Sequence, residues 1–122
     1  MKIIIGTVAG FALALGVAGV FAATNAPYYE VTEINVKDQT AYEASGVNKV
    51  REGIKENGGK IIAGGYNKAT SLHGAPPANR FLIVMFPSKE AAEKNWKDNV
   101  NPWFDKEGQK YADLRSVGVE GN

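Results

Sequence analysis

Six consecutive apolar residues, Phe81–Phe86, stand between Arg80 and the breaker Pro87-Ser88. A run that is apolar at both parities predicts a strand buried on both faces of its sheet. Such a strand needs cover from two sides, and the flanking sequence supplies one of them. Residues 27–36, rich in β-branched and aromatic types, predict a first strand. Asp38 follows as an N-cap, and a helix is expected over Gln39–Asn57, with Tyr42, Val47, Val50 and Ile54 as its apolar stripe. Gly46 and Gly53 weaken that helix, and Asn57-Gly58-Gly59 stops it. Lys60–Ala63 predicts a second strand. Gly64-Gly65 marks a bulge or a close backbone approach, with pairing resumed over Tyr66–Leu72 and a turn over Gly74–Asn79.

After the apolar run, Ser88 caps a further helix with Glu90 in its first turn, ending or kinking near Asp98-Asn99. Asn101-Pro102 restarts a helix over residues 102–112, with Asn as cap and Pro at the first helical position. Arg115–Glu120 alternates as a short last strand. The order β-α-β-β-α-β predicts an α+β, ferredoxin-like fold: an antiparallel four-stranded sheet with helices on one face. The uncovered face is then apolar, and a large naked apolar face is unusual for a monomer. The expectation is a homodimer packed sheet against sheet.

The N-terminal part reads differently. Residues 3–23 carry no charge, Lys2 precedes them, and the small residues of Val20-Phe21-Ala22-Ala23-Thr24 close the run. This pattern predicts a signal peptide over residues 1–22, cut after Ala22 or, second, after Ala23, and hence an exported, periplasmic or secreted protein. The alternative is an uncleaved anchor formed by residues 3–23, since a span needs about 20 residues. Cleavage would leave one domain, residues 23–122, with no stable membrane association.

Composition removes functions. The chain has 122 residues, 14 Lys+Arg, 13 Asp+Glu, one His and no Cys. The net charge of +1 argues against a basic nucleic-acid-binding surface or a polybasic membrane patch. Without Cys there is no disulfide, no thiolate nucleophile and no thiolate zinc site, and one His excludes sites built on several His ligands. The glycine doublets lack the ending of a phosphate loop. No cofactor or metal is expected from any motif.

The order and spacing of several motifs is more informative than any one of them. Tyr29 lies in the first strand, Asp38 and Tyr42 open the helix, and Gly58-Gly59 follows it. Phe86-Pro87-Ser88-Lys89-Glu90-Ala91-Ala92, Trp96 and Val119-Glu120-Gly121 complete the set. Over residues 27–121 the chain resembles the domain-of-unknown-function family 1330, of the dimeric α/β-barrel superfamily. The resemblance implies a ferredoxin-like protomer and a two-fold dimer closing a barrel. It implies no activity, although superfamily relatives include small monooxygenases, haem-degrading enzymes and ligand-binding proteins. Three positions depart from the family pattern: Gly64 takes the place of a common Arg, His73 replaces Glu before Gly74, and Asp98–Asn101 replaces a segment that carries Tyr.

Five residues are candidates for ligand binding, and none is assigned to catalysis. His73 offers a general base or an axial metal or haem ligand, or is an exposed loop residue beside Gly74 and Pro76-Pro77. Tyr29 and Glu33 lie four apart and share one strand face, where they line a polar pocket or sit as core and rim. Tyr28, Glu30 and Thr32 share the other face, and the sequence leaves open which set meets the helices. Arg80, expected to begin an outer strand, offers an anion anchor or protects an edge. Trp96, with Trp103 and Phe104, is helix-face core or a stacking platform. Two functions compete: a homodimeric small-molecule-binding domain with its pocket between sheet and dimer partner, and a cofactor-free monooxygenase- or isomerase-like enzyme.

Overall fold

A computed structural model describes residues 26–122. The expected signal peptide, residues 1–22, lies outside the described residues, as does the alternative anchor, residues 3–23. No helix among the described residues is long and apolar enough to cross a membrane.

Four strands form one sheet: β1 (Tyr28–Val36), β2 (Lys60–Tyr66), β3 (Arg80–Phe86) and β4 (Ala112–Glu120). Their spatial order is β2-β3-β1-β4, and every neighbouring pair is antiparallel. This is the split βαβ arrangement, with β1 and β3 central. Alternation along β1 buries Glu30, Thr32, Ile34 and Val36. Ile34 and Val36 pack with Tyr42, Val47 and Val50 of the first helical layer, while Val84 and Phe86 of β3 pack with Ile54 and Ala92. Even-numbered residues of β1 and β3 therefore face the helices.

The opposite face is a cross-strand grid. Met85, Tyr29 and Val119 form one row, and Ile83, Val31 and Val117 the next. Phe81, Glu33 and Arg115 form a third, closed by an Arg115–Glu33 ion pair at 3.2 Å. Phe81, Ile83 and Met85 are only half-buried, so within one chain the apolar run is covered on one side.

The helices begin where local chemistry demands. The Asp38 carboxylate accepts from the Ala41 amide at 3.0 Å, and the Ser88 hydroxyl accepts from the Ala91 amide at 3.1 Å. The expected single helix over Gln39–Asn57 is two, α1 (Gln39–Glu43) and α2 (Val47–Glu56). Gly46 separates them at φ +91°, a left-handed conformation that glycine adopts without steric cost. Strand β2 ends at Tyr66 rather than resuming to Leu72. Its bulge falls at Ile62, between the pairs Ile61–Val84 and Ala63–Ile83, while Gly64 supplies the close approach: a side chain there would overlap the Phe81 carbonyl oxygen.

The second helical layer runs unbroken where a kink was expected. Helix α3 (Lys89–Asn95) passes into a π-turn (Trp96–Val100) and then α4 (Asn101–Lys106). Asn101 is thus not a cap; its amide bonds the Trp96 carbonyl five residues back. Pro102 follows immediately. A proline inside a helix lacks a donor and clashes with the carbonyl four residues earlier. The widened turn opens the ladder where that carbonyl, Asp98, lies. A short 3₁₀ turn (Gly108–Lys110) leads into β4, which starts at Ala112, three residues before the expected Arg115.

Candidate functional site

The inward parity of β1 carries a carboxylate into the space between sheet and helices. Glu30 is 6% exposed. The Trp96 indole N–H donates to its Oε1 at 2.8 Å, and the Thr32 hydroxyl donates to its Oε2 at 2.7 Å. Thr32 Oγ1 lies 2.7 Å from Ser116 Oγ. Because Thr32 spends its proton on Glu30, Ser116 is the donor in that pair. The result is a relay, Ser116 to Thr32 to Glu30, meeting the indole at a buried carboxylate.

Two hollows meet at Glu30. A cleft of about 390 Å³ is bounded by β1, β4 and the second helical layer, and its lining includes Tyr28, Glu30, Trp96, Phe104, Ser116 and Gly118. A chamber of about 70 Å³ lies deeper, and Glu30, Trp96 and Leu114 line both. The chamber wall also holds Tyr42, Arg80 and Asn95. Asn95 is fully buried; its Oδ1 accepts from Asn99 Nδ2 at 2.9 Å, but its Nδ2 has no hydrogen-bond partner among the described residues. Arg80 Nε is also buried without one.

Arg80 is held from three sides. Its guanidinium lies 5.4 Å from the Tyr42 ring centre and 5.6 Å from that of Tyr66, and Nη2 is 3.3 Å from Glu43 Oε2. Arg51 donates to both Glu43 oxygens, at 2.8 and 2.9 Å. That bidentate hydrogen bond holds the Glu43 carboxyl below its ordinary range and raises Arg51. Burial pushes the Tyr42 phenol up, opposed by Arg80.

The structure brings Arg80 and Trp96 to one chamber. Arg80 begins a central strand, not an outer one, because β3 lies between β2 and β1. Tyr29 and Glu33 lie on the opposite face of the sheet, and Glu33 pairs with Arg115. His73 is exposed in the loop between β2 and β3. Trp103 packs edge-on against Tyr42 and donates to Ser45 Oγ at 3.1 Å, whereas Phe104 lines the cleft. Glu30 and Thr32 belong to the strand face whose orientation the sequence leaves open, and no sequence motif singles out Ser116 or Asn95. One signal was readable: Ile34 and Val36 share the parity of Glu30, whereas the other parity ends in Glu33 and Asn35. Among the described residues, no three His, Cys, Asp or Glu side chains are grouped to hold a metal ion.

The profile of a domain of unknown function, DUF1330, matches residues 27–122. The chain belongs to the DUF1330 family. Among solved structures this DUF1330 chain is similar to a protein of unknown function from Rhodopseudomonas palustris, at 18% identity and a TM-score of 0.60, over 88% of this chain and 92% of that one. The methylated form of that protein aligns at 16% identity and a TM-score of 0.62, over 88% and 90%. A hypothetical Arabidopsis thaliana protein aligns at 16% identity and a TM-score of 0.50, over 81% and 91%. At these identities the likeness is one of fold. No curated protein matches the chain.

Proposed function

We propose that this DUF1330 domain binds a small molecule in the helix-side cleft, with Glu30 as its polar anchor. The observation that carries the reading is a buried carboxylate on the wall of an aromatic-lined hollow. Pockets of this kind, mostly apolar with few placed polar groups, are the usual form of small-molecule sites. Each Glu30 oxygen accepts one internal hydrogen bond and keeps a second lone pair for a ligand donor. The site proposed differs from a pocket between the sheet and a partner chain, which would use Tyr29 and Glu33. A thermal-shift screen against small aromatics, quinones and haem tests it, because a native-state ligand raises Tm in a concentration-dependent way. The expected hit loses its shift in Glu30→Gln. A screen without any shift refutes the reading.

The same carboxylate favours a second reading, a cofactor-free proton-transfer enzyme of the isomerase type. Glu30 is fixed by two donors and would act as general base on a ligand C–H or O–H. Solvent deuterium incorporation into a bound hit, lost in Glu30→Gln, separates this from simple binding.

Homodimerisation belongs to the proposal. The rows Met85-Tyr29-Val119 and Ile83-Val31-Val117 form an apolar face that a second copy would cover. Sedimentation at micromolar concentration is expected to give a dimer for the native chain and a monomer for Val31→Lys; a native monomer refutes it. Export is proposed from residues 1–22, and an intact Met1 in the secreted protein would refute cleavage.

A further inference from the structure

We infer that the chamber behind Glu30 is the seat of a carbonyl oxygen, so that the cleft selects small neutral ketones, quinones or related carbonyl compounds. The inference rests on the cleft reading and names its ligand class.

Two residues that line the same chamber each carry a buried donor without a partner among the described residues, Asn95 Nδ2 and Arg80 Nε. A buried donor left unpaired costs free energy, and native proteins retain few of them. The two come from β3 and from α3, and a single acceptor atom seated in a chamber this small is the economical partner for both. The chamber's size admits an end group rather than a whole ligand, and the ring that carries it belongs in the adjoining cleft beside Tyr28 and Phe104.

Charge decides what kind of acceptor fits. Arg51 and Arg80 both pair with Glu43, and Glu30 adds a second carboxylate. Two cations and two anions already balance. An anionic ligand would meet Glu30 without a free cation to offset it, whereas a carbonyl oxygen takes both donors and brings no charge. Glu30 then faces the carbon or hydroxyl next to that carbonyl. Bound water is the rival occupant, since a polar hollow this size accommodates it.

The test uses ¹⁵N-labelled protein as isolated, with acetophenone, ethylbenzene and benzoate as probes. The expected result is a saturable shift of the Asn95 side-chain amide and Arg80 Nε–H resonances with acetophenone and none with ethylbenzene. Benzoate binds at least about tenfold more weakly than acetophenone. Asn95→Leu and Arg80→Lys each weaken acetophenone binding by about tenfold, the size of one lost hydrogen bond. Asn95→Leu removes the unpaired donor but also the oxygen that accepts from Asn99 Nδ2, so the ligand-free Tm is measured beside the affinity to show that the variant is folded. If ketone and hydrocarbon bind alike and disturb only the Trp96 indole, the chamber inference fails and the cleft reading stands. If both variants bind acetophenone as the native chain does, the chamber holds water only and the inference fails. Tighter benzoate binding overturns the neutral class, and no binding by any probe overturns the inference together with its ketone-sized cleft.

Discussion

Replacing Trp96 with Phe keeps an aromatic ring against the buried core cluster but removes the N–H that reaches Glu30 Oε1 at 2.8 Å. Glu30 is 6% exposed, so water has little access to the orphaned oxygen. A hydrogen bond to a charged group contributes about 1.5–3 kcal/mol, and a buried acceptor left unmade costs a similar amount. The expected loss is therefore roughly 2 kcal/mol, a fall in Tm of roughly 8–16 °C for a domain of this size. Glu30→Gln behaves differently. Its amide NH₂ can be placed toward Thr32, whose hydroxyl then accepts and turns its own proton to Ser116, reversing the relay. Oε1 still receives the indole, so this variant loses less than about 1 kcal/mol. Urea unfolding of both single variants and the double variant reads how much more the indole gains from the carboxylate than from a neutral amide oxygen. A coupling energy near 1 kcal/mol is expected between positions 30 and 96. A coupling within about 0.3 kcal/mol of zero would refute the view that the indole bond is charge-assisted.

Gly64→Ala puts a methyl group on the Phe81 carbonyl at a φ of +102°, so folding should lose roughly 3 kcal/mol or more, read by denaturant midpoint. Phe86→Ala empties a fully buried position and should cost about 3–5 kcal/mol in the same assay. Glu43 has a depressed folded-state value, so its contribution is present above the ordinary carboxylate range and lost as pH falls through that lowered value. Arg51→Met should flatten this acid limb in a plot of Tm against pH. Tyr42 is raised, so its contribution is present below the ordinary phenol range and lost as pH climbs through the raised value; Tyr42→Phe should remove that alkaline limb.

The parts of the fold that were legible in the sequence rest on short-range chemistry. Asp38 and Ser88 cap helices because their oxygens need reach only three residues ahead. The apolar run of β3 and the Gly58 stop were equally local: Gly58 and Gly59 close α2 on the Lys55 and Ile54 carbonyls. What escaped depends on distance or on phase. Gly46 could either bend a helix or end one, and tertiary packing chose the end. The π-turn leaves no periodic mark over five residues. Tyr28 and Tyr29 lie side by side, so aromatic content did not reveal which parity of β1 faces inward. Trp96 meets Glu30 across 66 positions of chain, and Asn95 faces the chamber only because the helical layer lies over β1. Arg80 was recognised as a candidate, but its place on a central strand follows from pairing with β2 and β1 together.

The π-turn at Trp96–Val100 lets the second helical layer carry one residue more than an α-helix would, without turning the faces on either side of it. Deleting Lys97 or Asp98, both exposed, would restore an ordinary α ladder and leave α4 in phase with α3, so Phe104 would stay on the cleft wall. Pro102 would then meet a closed ladder and lose the gap that the wide turn opens for its ring. The extra residue serves the proline, and the cleft keeps its aromatic wall with or without it.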